Sequence, residues 1–208
     1  MKRIQWKTLF VTSLACLLPI LLGIALWDQL PDLIPIHFNF YGEPDNFASK
    51  PFAIFGFAAL MVVMHVFCCL VYDLSAEKQK TPAKLVRLVK WIIPVMALIL
   101  QPVIFFYALG WNIDIRRVTV FLVGCLLIMT GNYLPKMDHL NNIKVSPDKA
   151  RKINRFLGFE TVIMGALMLL SIFLPPIASV IALILLIPYT LLAIIYAIIV
   201  GRKKDEVV

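Results

Sequence analysis

The sequence predicts an all-α integral membrane protein: six transmembrane helices, both termini cytoplasmic, and a short extended and turn segment in the first external loop. Three observations predict it. Of 208 residues, 61% are hydrophobic and 15% are charged, where soluble domains average about 45–50% and about 25%. Six stretches reach or approach the ~20 apolar residues that cross a hydrocarbon core about 30 Å thick. The basic residues are confined almost entirely to alternate connecting segments. A water-soluble chain of this length could not bury so much apolar surface in one core. That excludes a soluble enzyme, a disordered tail and a secreted disulfide scaffold.

Taken in chain order, the spans cover residues 8–27, 52–72, 91–110, 118–135, 156–174 and 177–200. The first follows basic residues, as a signal peptide would, but it is of full span length. No small-x-small cleavage site follows Trp27, so it is expected to remain as a transmembrane helix. Pro94, Pro102 and Pro188 fall within spans and are expected to kink them, which a bundle tolerates when neighbours satisfy the freed carbonyls. The chain divides into residues 1–72, carrying two spans and the loop 28–51, and residues 73–208. The second part carries four spans, basic loops at 73–90 and 136–155, and a basic tail. Cys16, Cys68, Cys69 and Cys125 all lie within spans. They offer neither a disulfide framework nor a spaced metal-binding pair.

Formal net charge is +8, and 17 of the 20 Lys and Arg residues sit at the N-terminus, in loops 73–90 and 136–155, and in the tail. The alternate segments hold only Lys50, Arg116 and Arg117. Basic loops mark the cytoplasmic side, which orients both termini inward. The same split accounts for the positive charge through membrane lipid headgroups and leaves no direct nucleic-acid site to expect. The densest loop, 136–155, could still dock a cytoplasmic partner.

Loop 28–51 has the opposite character, with Asp28, Asp32, Glu43 and Asp45 against Lys50 alone. From Ile34 it reads Ile-Pro-Ile-His-Phe-Asn-Phe, apolar at even positions with polar His37 and Asn39 between. Period-two alternation indicates an extended strand with one wet face. Pro35 cannot donate to a ladder, which suits an edge or a lone segment. Tyr41-Gly42-Glu43-Pro44-Asp45 is dense in turn formers, and Phe38, Phe40, Tyr41 and Phe47 suit the membrane interface.

Leu30-Pro31-Asp32-Leu33-Ile34-Pro35-Ile36-His37-Phe38-Asn39, followed by Gly42-Glu43-Pro44-Asp45 and Ser49-Lys50, resembles the N-terminal domain of the bacterial SdpI immunity-protein family. Gly131-Asn132-Tyr133-Leu134-Pro135-Lys136 is similar to that family's signature at the end of the fourth span. Length and six-span layout agree as well. One departure marks a divergent member: a Gly-Ile-Arg-Thr-Pro-Trp-like stretch usual in the family has no counterpart in Met137–Pro147. The resemblance implies a protein of the bacterial cytoplasmic membrane that meets a secreted peptide toxin at its outer face. It further implies signalling, by holding a transcriptional repressor at the membrane. Carried over, it makes His37, Asn39, Gly42, Glu43, Pro44, Asp45 and Lys50 the candidate ligand-binding residues. Asn132, Tyr133, Pro135 and Lys136 become the candidate signalling or structural motif.

Polar groups within spans are costly and mark function by default. His65, Gln101, Asn132 and Glu160 stand out. Glu160, read as about one turn into the fifth span, could pair with a basic neighbour, snorkel, or switch with a proton. His65 suits a hydrogen bond to a neighbouring helix or a proton relay, and Gln101 an interhelical bond. His37, being external, suits pH sensing or interface anchoring. No metalloprotease His-Glu-x-x-His run, Gly-x-Ser-x-Gly elbow, P-loop or dinucleotide fingerprint occurs. The expectation is therefore a non-enzyme without cofactor or metal. The alternative to an immunity receptor is a small proton-coupled transporter or exporter using Glu160.

Overall fold

The computed structural model describes residues 4–79, 83–137 and 146–202. Six of its helices are long and apolar enough to cross a membrane, and the chain is a multi-pass membrane protein. Loop residues 138–145, including His139 and Lys144, lie outside the described residues, as do Lys2, Arg3, Lys80, Lys203 and Lys204. Most of the segment lacking the family stretch lies there too.

The elements run α1 (Trp6–Ala25), β1 (Leu33–Phe38), β2 (Pro44–Ser49), a π-helical turn (Phe52–Gly56), α2 (Phe57–Gln79) and α3 (Ala83–Ala108). Then follow α4 (Ile115–Tyr133), a 3-10 turn (Leu134–Lys136), α5 (Pro147–Ser171) and α6 (Pro176–Arg202). Two findings correct the sequence reading. Residues 73–79 and 83–90, expected in a basic loop, continue α2 and α3, because a helix carries charged residues into the headgroup zone without breaking. Pro44 and Asp45, expected in a turn, begin a second strand. A proline is tolerated there because a two-stranded ribbon has a free edge on each strand, where no N–H need be donated.

The chain forms two compact units. The first comprises Met1–Lys78 and Val86–Thr119. Its helices turn their small and polar residues inward. On α3 the buried positions in this unit are Val86, Lys90, Pro94, Ala97, Gln101 and Phe105, steps of four, four, three, four and four that keep one face of a helix. On α2 they include His65, Cys69 and Asp73, each four residues on. On α1, Thr12 faces His65: Thr12 Oγ1 donates to the Thr8 carbonyl at 2.7 Å, so it accepts from His65 Nε2 at 2.7 Å. Cys69 Sγ lies 3.7 Å from the other ring nitrogen.

The unit also buries an ion pair. Lys90 Nζ lies 2.6 and 2.8 Å from the two carboxylate oxygens of Asp73, with side-chain exposures of 0% and 4%. The Gln5 backbone N–H donates to Asp73 Oδ2 at 3.1 Å, and Lys90 reaches Gln5 Oε1 at 3.4 Å. One carboxylate thus ties the start of α1 to α2 and α3. Further along α3, Gln101 Nε2 donates to the carbonyls of Ala53 and Ile54 at 3.1 Å each. Those carbonyls belong to the π-helical turn, whose wider hydrogen-bond loop leaves backbone acceptors in need of partners. The apolar core of this unit is Leu30, Ile34, Ala53, Ile54 and Phe105.

The second unit comprises Gln79–Leu85 and Val120–Val208. Here α4 and α5 approach at glycines spaced seven apart on each helix. A Cβ on Gly165 would stand 2.7 Å from the Gly124 carbonyl oxygen, and one on Gly158 would stand 2.6 Å from that of Gly131. Only glycine permits this backbone approach. Ser171 and Ser179 hydroxyls meet at 3.1 Å across the α5–α6 turn, and Phe156 packs on Tyr196 with ring centroids 4.2 Å apart. Val120, Met168 and Ala182 form its buried cluster.

A buried pair broken on one side leaves a bare charge, which costs about 3–5 kcal/mol. Asp73→Asn and Lys90→Met should each lower stability by about that amount, read as thermal unfolding of the purified protein in detergent. The double variant Asp73→Leu/Lys90→Met should recover most of the loss.

Candidate functional site

The hairpin between α1 and the π-helical turn is built from its residues as follows. Leu33 pairs with Ser49, Ile34 with Ala48, Pro35 with Phe47, His37 with Asn46 and Phe38 with Pro44, with irregularities between Pro35 and Phe38. Ile34 is fully buried in the core shared with Phe105, and Phe38 meets Tyr107 edge-on at 5.2 Å. The expected alternation holds at Ile34, Ile36, His37 and Phe38, whereas Pro35 is also buried.

The tip is organised by Asn39. Its Oδ1 accepts from the backbone N–H groups of Tyr41 (2.9 Å) and Glu43 (3.1 Å), and its Nδ2 donates to Glu43 Oε2 at 3.1 Å. Its own backbone N–H donates to the Glu43 carbonyl at 2.8 Å, and its carbonyl accepts from Gly42. An asparagine side chain that bonds two and four residues ahead closes a turn on itself. Gly42 has φ +87°, a conformation strained for residues with a Cβ. An added Cβ would stand 3.3 Å from Arg116 Cβ, so the tip seats on the start of α4. Asp114 caps that helix, accepting from the Arg117 N–H at 2.9 Å.

Across the strands His37 Nδ1 meets Asp45 Oδ1 at 2.5 Å, both side chains largely exposed. Phe40 and Tyr41 rings pack at 4.2 Å, and both are exposed, as is Phe47. At the base Lys50 Nζ donates to the Trp27 carbonyl at 3.0 Å, lies 5.5 Å over the Trp27 ring and 3.6 Å from Asp32. Its backbone N–H donates to the Asp32 carbonyl.

The structure therefore gathers His37, Asn39, Gly42, Glu43, Pro44 and Asp45 into one hairpin end. Lys50 stands apart as an anchor at the base. Asn132, Tyr133, Pro135 and Lys136 close α4 against α5: Lys136 Nζ lies 4.5 Å over the Tyr133 ring, and Pro135 packs where a Cβ on Gly158 would fall. Asn132 is exposed. His65 and Gln101 are buried in the first unit, and Glu160 lines a cavity in the second. Contrary to the pairing that its basic neighbours suggested, Glu160 has no ion-pair partner among the described residues. Arg151 turns instead to Asp148 at 2.5 Å. Nor does Glu160 lie near a helix end; its cavity includes Tyr189, the middle residue of α6. Among the described residues no group of three or more His, Cys, Asp or Glu side chains could hold a metal ion.

Sequence reasoning missed Asp73, Lys90 and Arg116. Asp73 fell one residue past an expected span and Lys90 one before the next, so both were counted with loop charges. The signal was available in the four-residue spacing of His65, Cys69 and Asp73. Arg116, counted as external, has a side chain only 7% exposed, 3.8 Å from Asp114.

Fold and site together define a multi-pass membrane protein with a polar and aromatic hairpin mounted between its first two helices. A family model described as "Domain of unknown function (DUF1648)" matches residues 14–62, which hold most of α1, the hairpin and the start of α2. The chain is 27% identical over 166 residues to "Immunity protein SdpI" of Bacillus subtilis (strain 168), covering 76% of this chain and 78% of that protein. It is a divergent relative of that protein, in agreement with the resemblance carried by its motifs. No solved structure matches it.

The hairpin tip depends on Asn39 and Gly42. Asn39→Ala should weaken the turn by about 1–2 kcal/mol, seen as faster hydrogen exchange at the Tyr41 and Glu43 amides with little change in global unfolding. Gly42→Ala should act in the same direction through its positive φ.

Proposed function

We propose that this chain is a membrane immunity protein, with the hairpin facing outward and intercepting a secreted peptide toxin. The similarity to an immunity protein over most of both chains carries the reading. The positive-inside distribution of Lys and Arg supports the orientation, with both termini and the basic loops in the cytoplasm of a bacterial cell. The role is one of binding, without catalysis.

The hairpin's chemistry suits a cationic amphipathic peptide. Exposed Phe40, Tyr41 and Phe47 offer apolar and cation–π contact. Glu43 and Asp45, with Asp28 and Asp32 in the same loop, supply negative charge that draws basic peptides in. β2 exposes Asp45, Asn46 and Phe47 in succession, giving an incoming extended segment an accessible edge. His37, held by Asp45, positions that carboxylate, and Asn39 and Gly42 hold the tip in shape. The finer part of the proposal is signalling: the occupied protein retains a cytoplasmic repressor through the basic residues that flank the α4–α5 junction, Lys136, Lys149, Arg151, Lys152 and Arg155.

Production of the chain in a bacterium sensitive to a cationic amphipathic peptide toxin tests this. Survival should rise with the native chain and fall back toward the sensitive level with Asp45→Lys or Tyr41→Ala, at equal membrane abundance. Full protection by both variants would remove the hairpin from the mechanism. Repressor retention is read separately, as toxin-dependent movement of a fluorescently tagged repressor to the membrane, lost in Arg151→Glu/Arg155→Glu.

A further inference from the structure

A half-open cavity of about 210 Å³ lies within the second unit, where α4, α5 and α6 meet. Its walls are largely apolar, formed by Leu127, Leu157, Met164 and Leu186, with Glu160 and Tyr189 as its principal polar groups. The depth of this cavity follows from its lining. Tyr189 is the middle residue of α6, which runs 27 residues from Pro176 to Arg202; at 1.5 Å per residue it stands about 20 Å from either end. Glu160 is therefore level with the hydrocarbon core.

Its carboxyl group is poorly provided for. No Lys, Arg or His pairs with it among the described residues. The two threonines that line the cavity spend their hydroxyl protons on their own helices, Thr161 on the Leu157 carbonyl at 2.7 Å and Thr190 on that of Leu186. An ionisable group at this depth, without a partner, is a costly feature that structural packing alone does not require. Asp73 shows the contrast: it is buried, where Glu160 is partly exposed to its cavity, and it has a lysine and a backbone N–H.

We propose that this cavity binds an organic ammonium cation bearing an apolar body, with Glu160 as its counter-ion. The ammonium would supply the missing positive charge, Tyr189 would present a ring suited to a quaternary nitrogen, and the leucines and Met164 would cover the apolar part. A hydrated inorganic cation fits poorly, since one carboxylate amid leucines cannot replace its oxygen ligands. Thr190 is exposed on α6, whose outer surface is apolar, so the entrance faces the bilayer, where such amphiphiles concentrate. The site is independent of the hairpin and of the immunity reading.

Benzyltrimethylammonium is a suitable probe, and neopentylbenzene is its uncharged isostere with carbon in place of nitrogen. Equilibrium dialysis against the full-length protein in dodecyl maltoside should show saturable binding of the cation above that of empty micelles. Glu160→Gln should weaken binding about tenfold or more, the scale of a lost desolvated charge pair. Leu186→Trp, which fills the cavity and keeps the carboxylate, should weaken it as well, and neopentylbenzene should not compete. Absence of saturable binding by the native chain overturns the proposal, as does undiminished binding in Glu160→Gln or equal competition by the isostere. Should Glu160→Gln fail to fold, undiminished binding in Leu186→Trp overturns it alone.

Discussion

A carboxylate and an ammonium enclosed by membrane helices persist only as a pair, and the first unit is arranged around one. Asp73 and Lys90 face each other with almost no exposure, and the leftover acceptor capacity of Asp73 is taken by the backbone N–H of Gln5, the residue that precedes α1. That contact fixes three helix segments at one end. Toward the hairpin, Gln101 does the equivalent work with neutral groups, holding the π-helical turn whose carbonyls it satisfies. Enclosed between helices, neither set of polar groups has water as an alternative partner, so each constrains the backbone more firmly than its counterpart on a soluble surface would.

The hairpin inherits this rigidity. Ile34 enters the core beside Phe105, four residues beyond Gln101 on α3, so the strand is set by the same helix face that carries the polar bonds. Lys50 ties the end of β2 to Trp27 just past α1, and Gly42 lets the tip seat close to Arg116. Base, middle and tip are thus each fastened. The exposed aromatic and acidic residues sit on a mount already ordered, which would lower the entropy lost on binding the proposed peptide.

Legibility from sequence followed the range of the interactions. The six spans and the segregation of basic charge were plain, because both depend on runs of composition. The first strand was visible in its alternation, and a turn in Tyr41–Asp45, although Asn39, which closes it, reads as part of the strand. The second strand was hidden because Pro44, Asp45 and Asn46 carry turn propensity; cross-strand pairing overrides it here. The Asp73–Lys90 pair was hidden for a different reason. Hydropathy draws a span's edge at its first charge, so two charges that face each other inside the helices were assigned to the connecting loop.

Three carboxylates in this chain show why placement decides role. Asp45 lies on an exposed strand against His37, where water shares the load and a partner can approach. Asp73 is enclosed and fully partnered, which makes it structural. Glu160 is set at mid-helix depth in an apolar cavity without the partners of either. Composition counts the three alike, and hydropathy penalises the last two alike. Only the surrounding donors distinguish a carboxylate that holds helices together from one that still has a charge to satisfy.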